Sequence, residues 1–349
     1  MLQPKLPALA AALALGAALA ATPAQAQDKV LNLYSARHYQ TDENLYAEFT
    51  KQTGIRINRI EAGDEAILER LRNEGANSPA DVILLVDAAR LWKAQIEGMF
   101  QPLKSPLLAA RIPAALRGKD DGKGSEWFGI STRARVLVYN KAKVDVALVQ
   151  NYEDLARPEL KGKVCTRSGA HPYMLSLIGA MSEHLGEAKA EQWASGVVAN
   201  FARKPRGGDT DQIRAVATGE CGVALTNTYY LVRLMRSDKP ADREVVERIG
   251  VVWPNQKSFG THVNVSGAAL ARHAPHRENA VRFIEYLASD AAQAYLADGN
   301  NEWPVVRTVK LHNRELESLG PFKADTLPIA SIGRAQVAAS KIIDRTGWR

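Results

Sequence analysis

Short apolar runs alternate with amphipathic stretches along most of the chain. Residues 30–34 read as a buried strand, 41–53 as a helix ended by Gly54, and 55–60 as a second strand. Over 64–73 the apolar residues Ile67, Leu68 and Leu71 share one helical face. A third strand is predicted at 81–86, with a helix following at 91–99. The same alternation resumes near Arg135. It predicts strands at 136–140, 163–166 and 221–226, a helical turn at 152–155, and helices at 191–203, 211–217, 277–287 and 290–296. Short apolar strands separated by helices argue for an α/β chain whose mostly parallel sheets are covered on both faces. Two such units imply two lobes with a cleft between them. Ligands of open α/β sheets bind beyond the carboxyl ends of the strands, so the informative residues are those just after strands.

The N-terminus changes the compartment. Lys5 is followed by an apolar run over 6–21, and Ala24-Gln25-Ala26 supplies the small-x-small pattern read by signal peptidase. Residues 1–26 are therefore expected to be a cleaved leader, with cleavage after Ala26 and a periplasmic product. The apolar run is at the short end for spanning a bilayer. The formal net charge is +7 over 349 residues, but Lys and Arg are scattered among Asp and Glu. A solvated mixed surface is the reading that follows, with no nucleic-acid partner. Cys165 and Cys221 are the only cysteines, and in an oxidising compartment such a pair becomes a disulfide. Metal ligation by two isolated cysteines is the weaker alternative. No G-x-S-x-G, H-E-x-x-H or C-x-x-C is present, which argues against a hydrolase and gives the expectation that the chain is not an enzyme.

Three post-strand loops carry tyrosine: Tyr34-Ser35-Ala36-Arg37-His38-Tyr39, Ser168-Gly169-Ala170-His171-Pro172-Tyr173 and Asn227-Thr228-Tyr229-Tyr230. A phenol ionises near pH 10 and is neutral in water at pH 7, whereas a bound trivalent cation stabilises the phenolate. Several phenolates around one ion favour a hard acid such as Fe(III) over softer metals. Taken alone, a tyrosine pair after a strand packs more often than it ligates. Spacing therefore supports a binding protein and leaves its solute open. Iron is one candidate; an oxyanion, a polyamine or an organic cofactor, with the tyrosines packing, is another.

Four stretches carry a family resemblance: Tyr34 to Tyr39, Asn77-Ser-Pro-Ala-Asp81, Trp127-Phe-Gly-Ile-Ser-Thr-Arg-Ala-Arg135 and Asn227-Thr-Tyr-Tyr230. Across essentially the whole mature length the chain resembles the periplasmic ferric-ion-binding proteins of the FutA and FbpA type. The resemblance implies a two-lobed type II periplasmic-binding-protein fold whose lobes are joined by two crossing hinge strands, near 133–139 and 251–255. Lobe one is then 27–131 plus 256–305, and lobe two is 132–255 plus 306–349. It implies Fe(III) as the transported ligand, held by His38, Tyr39, Tyr173, Tyr229 and Tyr230, with Arg133 and Arg233 behind them. It further implies a monomer that delivers iron to the permease of an ABC importer. Members lacking the first-loop tyrosine recruit an anion, a need that Tyr39 reduces. The His171-Pro172 segment departs from the small polar residues expected there.

Overall fold

The computed structural model describes residues 29–37 and 41–349. The expected leader, His38 and Tyr39 lie outside the described residues. Among the described residues nine strands order the fold: β1 (Val30–Ser35), β2 (Arg56–Glu61), β3 (Val82–Leu85), β4 (Phe128–Asn140), β5 (Val164–Cys165), β6 (Val223–Asn227), β7 (Ile249–Val252), β8 (Val263–Leu270) and β9 (Trp303–Pro304). They run in the order β2-β1-β3-β8-β4-β6-β5, with β7 and β9 also paired to β4. β4, at 13 residues, serves both halves of the molecule. Phe128 to Ala134 pair with β8, and Arg135 onward pair with β6 and β7.

Each half has a sheet with both faces covered, and the two-residue period of a strand explains how. Leu31, Leu33, Val82 and Leu84 point into one core with Phe49, Phe283 and Leu296. Tyr34, Ile83 and Leu85 point into the opposite core with Ile67, Leu68 and Leu91. In the second half, Leu137, Val223 and Leu225 join Trp193, Leu177 and Ile342, while Val138 and Ala224 face Ile213 and Val216. Edge strand β2 carries Arg56, Arg59 and Glu61 and is largely exposed, which discourages pairing with a foreign strand.

The predicted strands and most helices lie within a few residues of their observed places, except that β4 begins at Phe128 and not at the predicted 136, and three further corrections follow. The sheets are mixed: β1, β2 and β3 are parallel, as are β5 and β6, but β4 and β8 run antiparallel to their neighbours. That reversal comes from strands shared between the halves, which must return across the molecule. β8 itself was not expected, because Asn264, Ser266 and Gly267 interrupt its apolar pattern. The 14-residue helix Pro172–Leu185 was also not foreseen. Its buried residues run without a break from Ser176 to Met181, so no amphipathic period marks it.

Two long-range ties fix the approach to β6 and the loop that leaves β5. Cys165 and Cys221 form the expected disulfide, closing a separation of 56 residues. The C-terminal helix Gln336–Thr346 leads to Trp348, which is fully buried. Its indole Nε1 donates to Thr166 Oγ1 at 3.0 Å, and its carbonyl accepts the Gly169 N–H at 3.1 Å. Gly169 is required there, since a Cβ would sit 2.4 Å from that carbonyl oxygen. Replacing both cysteines by serine should lower the unfolding free energy by about 4 kcal/mol or less, the loop-entropy ceiling for this separation. Urea unfolding of the oxidised protein and the double variant measures it; coincident curves would show that the bridge constrains nothing.

Candidate functional site

Parallel pairing of β5 and β6 brings two helix starts side by side at the carboxyl end of the second-half sheet. Tyr173 stands in the first turn of the helix Pro172–Leu185. Pro172 fits the start of that helix, and His171 Nδ1 accepts the Tyr173 N–H at 3.2 Å. Tyr229 and Tyr230 open the helix Thr228–Met235, directly after β6. The structure brings these three predicted residues together. The Tyr229 hydroxyl donates to the Tyr173 oxygen at 3.0 Å, and the Tyr229 and Tyr230 ring centroids are 4.3 Å apart. The phenols line a cavity of about 810 Å³ whose opposite wall is Thr41 and residues 298–301 of the first half.

Guanidinium groups surround the rings. Arg133 and Arg167 lie 5.8 and 5.2 Å from the Tyr173 centroid, and Arg233 lies 5.6 Å from that of Tyr230. Both predicted arginines therefore sit against tyrosines. Burial pushes the Tyr173 phenol up to about 12, and Arg133 pulls the other way. His171 is pushed down to about 3, first by burial and then by Arg167, so its imidazole is neutral at pH 7.

Several functional neighbours had no signal in the sequence. Arg37 bonds Asp42 Oδ2 at 2.9 Å, Ser266 Oγ at 2.9 Å and Glu302 Oε2 at 3.2 Å, all buried. Arg133 also donates to Ser266 Oγ, at 2.9 Å. Arg37 and Thr41 flank residues 38–40 in the sequence; Thr41 lines the cavity, while Arg37 is buried in this network. Asp87, which caps the helix Ala88–Ile96 just after β3, accepts the Ser176 hydroxyl at 3.0 Å from the helix that carries Tyr173. Asn264 donates to the same carboxylate at 2.8 Å, so this hydrogen-bonded hub joins the two halves. These partners lie far apart in the chain, where no local motif can pair them.

A cleft between two α/β halves, joined by shared strands and lined from one side by three phenols, defines a solute-binding protein. The chain belongs to the bacterial extracellular solute-binding protein family, whose model matches residues 44–324. It is 48% identical over 333 residues to iron uptake protein A1 of Synechocystis, covering 95% of this chain and 91% of that protein. Trichodesmium FutA, solved in complex with iron and citrate, superposes with a TM-score of 0.86 at 48% identity, covering 92% of this chain and all of that one. The ferric binding protein of Campylobacter jejuni gives a TM-score of 0.85 at 40% identity, over 91% of this chain and all of its own. The fold is the two-lobed type II periplasmic-binding-protein fold, with the lobes joined by crossing strands.

Two buried groups near the crossing strands give stability an unusual pH dependence. His262, whose peptide N–H donates to Tyr152 Oη, is held down to about 3 by burial and then by Arg135. From 6.5, its ordinary value, down to about 3, the unfolded chain binds a proton the folded one refuses, so stability falls with pH. Asp87 acts oppositely: burial raises it from 3.8 to about 6, so its stabilising effect is full below 3.8 and lost as pH rises through about 6. His262→Gln should flatten the fall in urea midpoint between about pH 6.5 and 4, and Asp87→Asn should steepen it. Three parallel profiles would refute both assignments.

Proposed function

We propose that this protein captures Fe(III) in the periplasm and delivers it, as a monomer, to the inner-membrane permease of an ABC importer. The observation that carries the reading is the convergence of Tyr173, Tyr229 and Tyr230 on one interlobe cavity, with two phenol oxygens 3.0 Å apart. The iron-uptake and ferric-binding names of its relatives point the same way. His38 and Tyr39, which follow Arg37 in the sequence, complete the proposed ligand set. Arg133 and Arg233 stand behind it. No chemical turnover is part of this function. The proposed leader, residues 1–26 cleaved after Ala26, accounts for export.

The chemistry follows from charge. Four phenolates and a neutral imidazole around Fe(III) sum to one net negative charge, which nearby arginines offset. A Tyr173 phenol near 12 carries its proton at pH 7, so loading iron must expel protons, and acid must favour release. For closure we propose lobe one as 27–131 plus 256–305 and lobe two as 132–255 plus 306–349. Support comes from β4, which changes partners between Ala134 and Arg135, and from Ile342 and Trp348 packing into the second core. Hinge motion about the shared strands would then open the cleft.

Phenolate-to-iron charge transfer should colour the loaded protein red-orange. Replacing both Tyr229 and Tyr230 by Phe should abolish the visible band and weaken Fe(III) binding by more than about 100-fold. The check is visible titration with Fe(III)-citrate beside calorimetry with an anion panel. Tight anion binding with no visible band in the unmodified protein would overturn the iron assignment in favour of an oxyanion receptor.

A further inference from the structure

Asp209 is fully buried at the start of the helix Asp209–Thr218, a charged group with no part in the ligand set proposed above. Its carboxylate touches three groups. Oδ2 accepts Arg135 Nη1 at 2.5 Å and the backbone N–H of Asn227 at 2.7 Å. Oδ1 accepts Arg167 Nη1 at 3.3 Å. Each contact leads to a tyrosine. Asn227 precedes the helix opened by Tyr229 and Tyr230, and its side-chain oxygen also accepts Arg135 Nη1 at 3.1 Å. Arg167 lies over the Tyr173 ring, and Arg135 Nη2 reaches Met174 Sδ at 3.2 Å, beside Tyr173.

We infer that Asp209 is a positioning residue for iron capture: one buried carboxylate that holds both tyrosine-bearing loops of lobe two in register. A carboxylate suits this role because it accepts from two guanidinium groups and an amide at once, and such charge-assisted bonds are the strong ones. A neutral side chain there would leave Arg135 buried without its counter-charge. The inference rests on the iron reading for its function, though its structural part stands apart from it.

Electrostatics alone predict the opposite sign, which makes the idea testable. Asp209 disfavours the Tyr173 phenolate, so deleting its charge should by that route ease ionisation and tighten iron. Positioning predicts weaker binding. Asp209→Asn and Asp209→Ala would be compared with the unmodified protein and the Tyr229/Tyr230 double Phe variant. Hydrogen exchange of the iron-free proteins comes first: faster exchange is expected in 166–175 and 226–231 together in both Asp209 variants. Titration with Fe(III)-citrate should then show about 10-fold weaker binding for Asn and about 100-fold for Ala, with a displaced visible band and a higher pH of iron loss. If Ala does not fold, the Asn variant decides. Unchanged exchange in the two segments, or tighter iron with loss at lower pH, would overturn the inference. An unmodified protein without a visible band, combined with faster exchange in the variants, would remove the iron reading and leave the positioning role intact.

Discussion

Two arginines two residues apart on one buried strand constrain the centre of this molecule. Arg133 and Arg135 stand on either side of the point where β4 passes from one sheet to the other, and both are nearly inaccessible to water. A buried guanidinium without a counter-charge is strongly destabilising. Each half supplies its own acid. Glu302 lies 4.0 Å from Arg133 and also holds Arg37, while Asp209 holds Arg135 and Arg167. The ionic pairs therefore tie the crossing strand to the loops that leave β1 and β5, and Asp209 also holds the end of β6 through the Asn227 N–H. The demand for charge compensation at the crossing and the demand for fixed ligand loops are met by the same carboxylates.

The legible part of the sequence was the part written in local pattern. Strands such as Val82–Leu85 are short, apolar and followed by turn chemistry, so their positions and the tyrosines after them could be read directly. The cysteine pair followed from compartment and count. Elements that escaped did so for identifiable reasons. Val263–Leu270 mixes Asn, Ser, Gly and Ala because it is crowded: a Cβ on Gly267 would meet Leu91 at 2.7 Å. Pro172–Leu185 is wedged between elements of both halves, so it lacks a polar face for a period to reveal.

The site divides along the same line. Tyr173, Tyr229 and Tyr230 were found because a phenol in a post-strand loop is visible in the sequence. Asp209 and Arg135 are 74 residues apart, and Arg37 and Glu302 are 265 apart. Nothing in composition or spacing joins such partners; only the fold does. The resemblance to ferric-binding proteins supplied the solute, which spacing had left open, and it said nothing of the carboxylates that organise the arginines.

The unloaded cleft sets a condition on what it can accept. Its Tyr173 phenol holds its proton and its imidazole at His171 is neutral, so guanidinium groups dominate the local charge. A bare trivalent cation approaching Arg167 and Arg233 is repelled until phenols ionise, whereas a phenolate-wrapped ion of net negative charge is attracted by the same groups. Under the proposed ligation, binding and proton loss must therefore proceed together, because neither is favourable alone. The arginines then act as a sign filter. They disfavour cations that cannot drive phenol ionisation, such as weakly acidic divalent metals, and they stabilise one that can. Under that ligation, selectivity in this cleft is accordingly a property of the charge balance between buried acids, arginines and phenol protons, more than of the donor atoms alone.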